Sequence, residues 1–265
     1  VRIDLKKALT DALGISGPDL VSIVGAGGKT SLMYRLGQEL ASSGRRTLLT
    51  TTTRILYPGR REIPVLVGPE DDSTSARISK EFSRTNLLLA GRQRADSKLL
   101  GFDPEFIEKV RSDNNDLTVV AECDGARGKS LKVPEEHEPP VANSTSVYVV
   151  VIGADCLHRP LDSDAVYNPE RVAAVAGVAV DATVSEPVVT ASVLSQGSYL
   201  GRKPSGARLC VFFNKVDTDG FGRNCFRGGG SVLSIGMALK THGEVERVVL
   251  GSLAARSSDS FVVMR

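Results

Sequence analysis

Asp19-Leu20-Val21-Ser22-Ile23-Val24-Gly25-Ala26-Gly27-Gly28-Lys29-Thr30-Ser31 runs from an apolar stretch through a glycine-rich turn into a segment where Leu32, Met33, Leu36 and Leu40 recur at helical spacing. The apolar stretch reads as a short buried strand and the recurrence as a helix. Strand, glycine turn and helix in that order are the setting of a phosphate-binding loop. The N–H groups of the turn and of the first helical turn then point into one concavity.

Each residue of the turn has an expected part. Gly25, Gly27 and Gly28 admit phosphate where a Cβ would obstruct it, and Ala26 and Ser31 complete the nucleotide-binding set. Lys29 is expected to face solvent until a polyphosphate arrives, because a cation at the positive end of a helix is unfavourable without an anion. It is then expected to reach the β- and γ-phosphates. The Thr30 hydroxyl suits Mg²⁺. The longer form of such loops, glycine, four residues, then Gly-Lys-Ser/Thr, would put its first glycine on Ile23, so this is a shortened version.

With 265 residues the chain is long enough for a large core, and one domain is the expectation. Thirty-three basic and 31 acidic groups give a formal charge of +2, which argues against nucleic-acid binding. Cys123, Cys156, Cys210 and Cys225 form no Cys-x-x-Cys pair, so neither a zinc knuckle nor a disulfide framework is indicated. Reduced core cysteines and a cytoplasmic setting are expected. No apolar run approaches membrane-spanning length. Val1 to Leu9 read as an amphipathic helix within a short N-terminal helical extension, about residues 1–17, and a start at Val1 rather than Met reads as a trimmed start.

Downstream, strand and helix patterns alternate. A helix to about Ser42-Ser43-Gly44 leads to a strand over Arg45 to Thr50, which runs into Thr51-Thr52-Thr53-Arg54. At the ligand edge of a parallel sheet, these hydroxyls and Arg54 are candidates to position Mg²⁺, the γ-phosphate or a second substrate. Strands at Val65-Leu66-Val67 and Asn86 to Ala90, and helices over Asp71 to Phe82 and Pro104 to Val110, continue the pattern. Leu117-Thr118-Val119-Val120-Ala121-Glu122-Cys123-Asp124-Gly125 reads as a central parallel strand whose acids appear only at its end. Asp124 is assigned to the magnesium shell, directly or through water. Glu122 either shares that task or activates a nucleophile. Arg127, Lys129 and Lys132 follow as candidates to screen phosphates. Further strands are expected at Ser146 to Ile152, Ala207 to Phe213 and Val245 to Leu250, and a helix through Ile235, Met237 and Leu239. The whole is an α/β chain with a doubly wound, mostly parallel sheet of P-loop NTPase type.

Asn214-Lys215-Val216-Asp217 matches the Asn-Lys-x-Asp pattern of guanine recognition. The Asp217 carboxylate accepts from two guanine donors that adenine does not present together, and the Lys215 stem covers the base. Asn214 either bonds the base or stitches its loop to the phosphate loop.

These stretches, with Leu131-Lys132-Val133-Pro134 and Glu138-Pro139, resemble the YqeC-type accessory proteins of selenium-dependent hydroxylases, over nearly the whole chain. Where that family leads one to expect a His-Arg-Pro-Glu-like sequence, this chain has Tyr167-Asn168-Pro169-Glu170-Arg171, and no histidine role is assigned there. The resemblance implies one P-loop nucleotide-binding domain over residues 1–265 and a Mg²⁺-dependent nucleoside triphosphatase that takes GTP or ATP, and the Asn214-Lys215-Val216-Asp217 match favours GTP. It further implies a link to a molybdenum hydroxylase or its cofactor-maturation proteins. Lys29, Asp124, Glu122 and Arg54 are the expected catalytic set, Thr30 and Asp124 the metal set, and Thr52, Asn214, Lys215 and Asp217 further nucleotide contacts. A small-molecule kinase or nucleotidyltransferase, and a nucleotide-gated delivery protein with negligible turnover, are the alternatives.

Overall fold

The computed structural model describes residues 1–59, 63–216, 232–254 and 261–265. In chain order it contains β1 (Ile3–Lys6), α1 (Leu9–Leu13), β2 (Leu20–Gly25), α2 (Lys29–Ser42), β3 (Thr47–Thr51), β4 (Arg54–Leu56), β5 (Val65–Val67), α3 (Asp72–Glu81), β6 (Leu87–Gly91), β7 (Gln93–Ala95) and β8 (Lys98–Leu100). There follow α4 (Pro104–Ser112), β9 (Thr118–Glu122), β10 (Val147–Gly153), α5 (Pro169–Ala176), α6 (Glu186–Leu194), α7 (Tyr199–Arg202), β11 (Arg208–Asn214), α8 (Val232–Thr241), β12 (Val245–Leu250) and β13 (Phe261–Met264).

β2, β9 and β10 are buried along their entire length, as strands with helices on both faces must be. They form the middle of a ten-stranded sheet of order β1-β13-β12-β11-β10-β2-β9-β3-β6-β5. From β12 to β5 every neighbouring pair is parallel, and β13 and β1 close one edge antiparallel. The protein is thus an α/β chain with a mixed, mostly parallel sheet.

Side chains alternate between two apolar layers. Val21, Ile23 and Val120 pack with Leu32, Met33, Leu36 and Leu40 of α2, while Leu20, Val24 and Val119 pack on the side of α3, α4, α5, α6 and α8. Each such fully buried aliphatic side chain is worth about 1.5–3 kcal/mol. The chain leaves β2 towards β3, β6 and β5, returns to β9, and then crosses to β10 on the other side of β2. The carboxyl end of β2 therefore lies at a topological switch point, where open α/β sheets form a crevice.

The N-terminal reading needs correction. Ile3–Lys6 is a strand paired with β13, and the helix begins only at Leu9. Ile3 and Leu5 point outward at 50% and 69% exposure, a two-residue alternation on an edge strand that mimics one face of a helix. A three-stranded antiparallel ribbon, β4-β8-β7, also escaped the sequence reading, as did β13 beyond the strand expected to be last. α2 stops where expected, with Gly44 in the left-handed region at φ +85°.

Candidate functional site

The turn after β2 is shaped by what presses on it. Gly25, Gly27 and Gly28 have φ of +95°, +89° and +132°. A Cβ on Gly27 would run into the backbone nitrogen of Gly153 at the end of β10, and one on Gly28 into the Asn214 amide. The Ala26 N–H donates to the Val151 carbonyl at 2.8 Å, which holds the turn down on β10. α2 starts from Gly28 without a side-chain cap, whereas α3 has its Thr74 N–H capped by Asp71 at 3.0 Å. The first N–H groups of α2 are thus left to face the crevice.

Lys29 does not face solvent. It is 5% exposed, donates to the Gly25 carbonyl at 2.7 Å and lies 3.1 Å from Asp124 Oδ1 and 4.0 Å from Glu122 Oε1. A cation is poorly placed at the positive end of a helix, and the Asp124 and Glu122 carboxylates draw the ammonium back from it.

The two acids of β9 have separate surroundings. Ile23 and Thr51 flank Glu122 in register on the neighbouring strands. The Thr30 hydroxyl donates to Glu122 Oε2 at 2.7 Å, and Glu122 forms part of the crevice wall. Burial raises the Glu122 carboxyl above its ordinary pKa, against the opposing pull of Lys29 and of the Thr30 hydroxyl. Asp124 is fully buried and is not a wall residue. Its Oδ2 accepts from the Gly25 N–H at 3.0 Å and the Tyr199 hydroxyl at 3.1 Å. Its Oδ1 has Lys29 as a charged neighbour but no donor aligned for a hydrogen bond. The Thr30 hydroxyl, expected in one metal set with Asp124, is thus hydrogen-bonded to Glu122, while Asp124 holds the turn through the Gly25 N–H.

Lys132 belongs to the same buried group. Its ammonium donates to the Gly125 carbonyl at 2.7 Å and to Glu138 Oε2 at 2.6 Å, and lies 3.7 Å from Asp124 Oδ2 and 5.0 Å from the Tyr167 ring centre. It is 1% exposed and, unlike Lys29, is not among the residues that line the crevice, so it is not placed to screen phosphates there. Leu131 and Val133 on either side were the signal for that burial; Tyr199 gave none.

The crevice has a volume of about 750 Å³. Its walls are Gly27, Gly28, Lys29, Thr30, Ser31 and Glu122 on one side, Gly125 to Gly128 and Glu138 at the end, and Thr53, Arg54, Ile55, Leu56 and Lys98 opposite. Of the threonine run, Thr53 is in the wall and Thr52 is not. The Thr52 N–H and the Thr51 hydroxyl instead donate to the Glu122 carbonyl at 3.0 and 2.7 Å and fix that strand end.

Asn214 takes the stitching role of its two alternatives. Its amide donates to the Gly27 carbonyl at 2.7 Å and accepts from the Leu253 N–H at 3.0 Å. Lys215, at φ +63°, donates to Ser130 Oγ at 2.9 Å and Asp155 Oδ2 at 2.8 Å. Asp217 lies outside the described residues. The thiols of Cys123, Cys156 and Cys210 are buried, and burial pushes each up to about 12, so they are inert core groups. Among the described residues no cluster of three or more His, Cys, Asp or Glu side chains is arranged to hold a metal, and no helix is long and apolar enough to cross a membrane.

Fold and site together define an α/β protein with a glycine-rich turn at the carboxyl edge of a mostly parallel sheet. Residues 21–170 match the family model described as YqeC protein. A relative from Escherichia coli (strain K12), called uncharacterized protein YqeC, is 31% identical over 198 residues, which is 75% of this chain and 76% of that protein. The chain belongs to the YqeC family.

Proposed function

We propose that this chain is a single P-loop nucleotide-binding domain that binds and hydrolyses a nucleoside triphosphate with Mg²⁺. GTP is the preferred substrate and ATP the weaker competitor. The observation that carries the reading is the pairing of Thr30 with Glu122 in front of the uncapped start of α2. A hydroxyl at the second helical position held by a strand-end carboxylate is the donor set that suits Mg²⁺, which keeps most of its waters and takes few protein ligands. The bound ion would offset charge on the phosphate oxygens as they react.

The remaining roles fall to the chain itself. The N–H groups of Gly27, Gly28 and the start of α2 bind the phosphates. Lys29, exchanging Asp124 for phosphate, carries charge to the β- and γ-phosphates. Glu122 orients the Thr30 hydroxyl and, as a buried carboxylate, is suited to accept a proton from attacking water. Asp124 keeps the turn in place through the Gly25 N–H. Asn214 holds the base loop to the turn, and the guanine preference rests on Asp217 in the Asn-Lys-x-Asp pattern.

Family membership supports the wider role: a cytoplasmic accessory factor in maturing a selenium-dependent molybdenum hydroxylase. The extent of the crevice beyond the turn favours a second reading, transfer of a phosphoryl or nucleotidyl group to a small acceptor.

The test is calorimetric titration of the full chain with Mg·GTP and Mg·ATP, followed by phosphate release. Binding of GTP about tenfold or more tighter than ATP is expected. No binding of either at millimolar concentration overturns the nucleotide reading, and equal affinities overturn the base preference. Loss of hydroxylase activity on deleting the gene, restored by the intact gene, is the expected result for the accessory role.

A further inference from the structure

The wall of the crevice opposite the glycine turn has a chemistry of its own. In the β4–β8 pair Arg54 faces Leu100, Ile55 faces Leu99, and Leu56 faces Lys98. Ile55 and Leu99 are 3% and 0% exposed and anchor the ribbon in the core. The alternate positions Arg54, Leu56 and Lys98 therefore share the other face, and all three line the crevice. Leu56 is 66% exposed there. Neither the Arg54 nor the Lys98 side chain has a hydrogen bond or ion pair among the described residues. Arg127 adds a third cation from the end wall, its guanidinium 5.6 Å from the Tyr167 ring centre.

An exposed lysine on a short edge strand is ordinarily a guard against pairing with other chains. Two unpaired cations on either side of a bare leucine inside a concave wall are a different pattern, with a polar clamp for an anion and an apolar seat for the body attached to it. We infer that Arg54, Leu56 and Lys98, with Arg127, form a binding site for a second small ligand, an organic anion whose phosphate or carboxylate group is held by the cations and whose apolar or planar body lies on Leu56. This deepens the nucleotide reading and rests on it for the occupant of the facing wall. The anion would sit across the crevice from the glycine turn, where an acceptor or an effector of the nucleotide reaction belongs.

Phenyl phosphate and benzoate are the probes, titrated by calorimetry into the full chain with and without a saturating non-hydrolysable GTP analogue and Mg²⁺. At least one is expected to bind in both conditions; the stronger arm tells a phosphate ester from a carboxylic acid. Lys98→Ala should weaken that probe about tenfold and leave nucleotide affinity within twofold. Leu56→Ser should weaken the probe and leave inorganic phosphate unchanged. Both positions are exposed, so both variants should fold, with unchanged circular dichroism. Absence of probe binding, displacement of the probe by the nucleotide, or indifference to both substitutions overturns the inference. A chain that binds nucleotide but no probe sinks this site alone. One that binds the probe through Lys98 but binds no nucleotide sinks the proposed function alone.

Discussion

Two pairs of cations lie around the glycine turn, and they are in opposite states. Lys29 and Lys132 are 5% and 1% exposed, and both approach Asp124, at 3.1 and 3.7 Å. Arg54 and Lys98 stand exposed on the ribbon opposite, without a charged partner among the described residues. The first pair is part of how the turn is held; the side chains of the second answer to nothing among the described residues. A basic residue near a phosphate loop is thus not by itself a ligand contact. Lys29 has to release Asp124 before it can meet a phosphate, whereas Arg54 and Lys98 have no such partner among the described residues to give up.

That contrast is most exposed to failure at Asp124. Asp124→Ala takes the acceptor from the Gly25 N–H and the Tyr199 hydroxyl and leaves two buried ammonium groups near an empty place. A loss of about 3–5 kcal/mol is expected in chemical denaturation, as for breaking a buried ion pair. A loss under about 1 kcal/mol would mean that the buried group is no anchor.

Glu122→Gln comes next and tests the division of labour on β9. It should leave the turn in place and raise the Mg²⁺ concentration needed for nucleotide binding about tenfold to a hundredfold. An unchanged magnesium titration would return the metal role to Asp124. The same variant has a pH signature. Burial raises the folded carboxyl above its ordinary 4.5, so the stability this group lends is complete below that pH and is lost as pH rises through the folded value. Glutamine removes the loss. The stability of the variant relative to the parent should grow from about pH 4.5 upward and then level off, and a difference constant with pH would contradict the burial argument.

The smallest effect is predicted on the opposite wall. Lys98→Ala should change folding stability by no more than about 0.5 kcal/mol. A larger loss would show that the ribbon's cations, like those beneath the turn, are held by the fold.

Much of this was legible in the chain. The parallel strands were found because strands buried on both faces are written as continuous apolar runs, as in Val147–Gly153. The glycine turn, Lys29, Thr30 and the two acids were found because their spacing is local. The ribbon was missed because its strands are only three residues long, too short to show an alternation: Lys98–Leu100 pairs locally with Gln93–Ala95, and Arg54–Leu56 joins it from more than 40 residues away. β1 was misread because its apolar residues point outward. The state of each charge was legible only in part: Leu131 and Val133 on either side mark Lys132, folded under Tyr167, as buried, but no local pattern gives its partners or shows that Lys98 lines an open wall.

The pressure on the turn also sets its mutational freedom. At Gly28 a side chain would meet the Asn214 amide, and even with Asn214 shortened the backbone at φ +132° would strain any residue that carries a Cβ. The obstacle at Gly27 is the main chain of Gly153, which no substitution removes. Position 27 is therefore closed by the neighbouring main chain and by its own φ of +89°, and position 28 by its own φ of +132° even where Asn214 gives way.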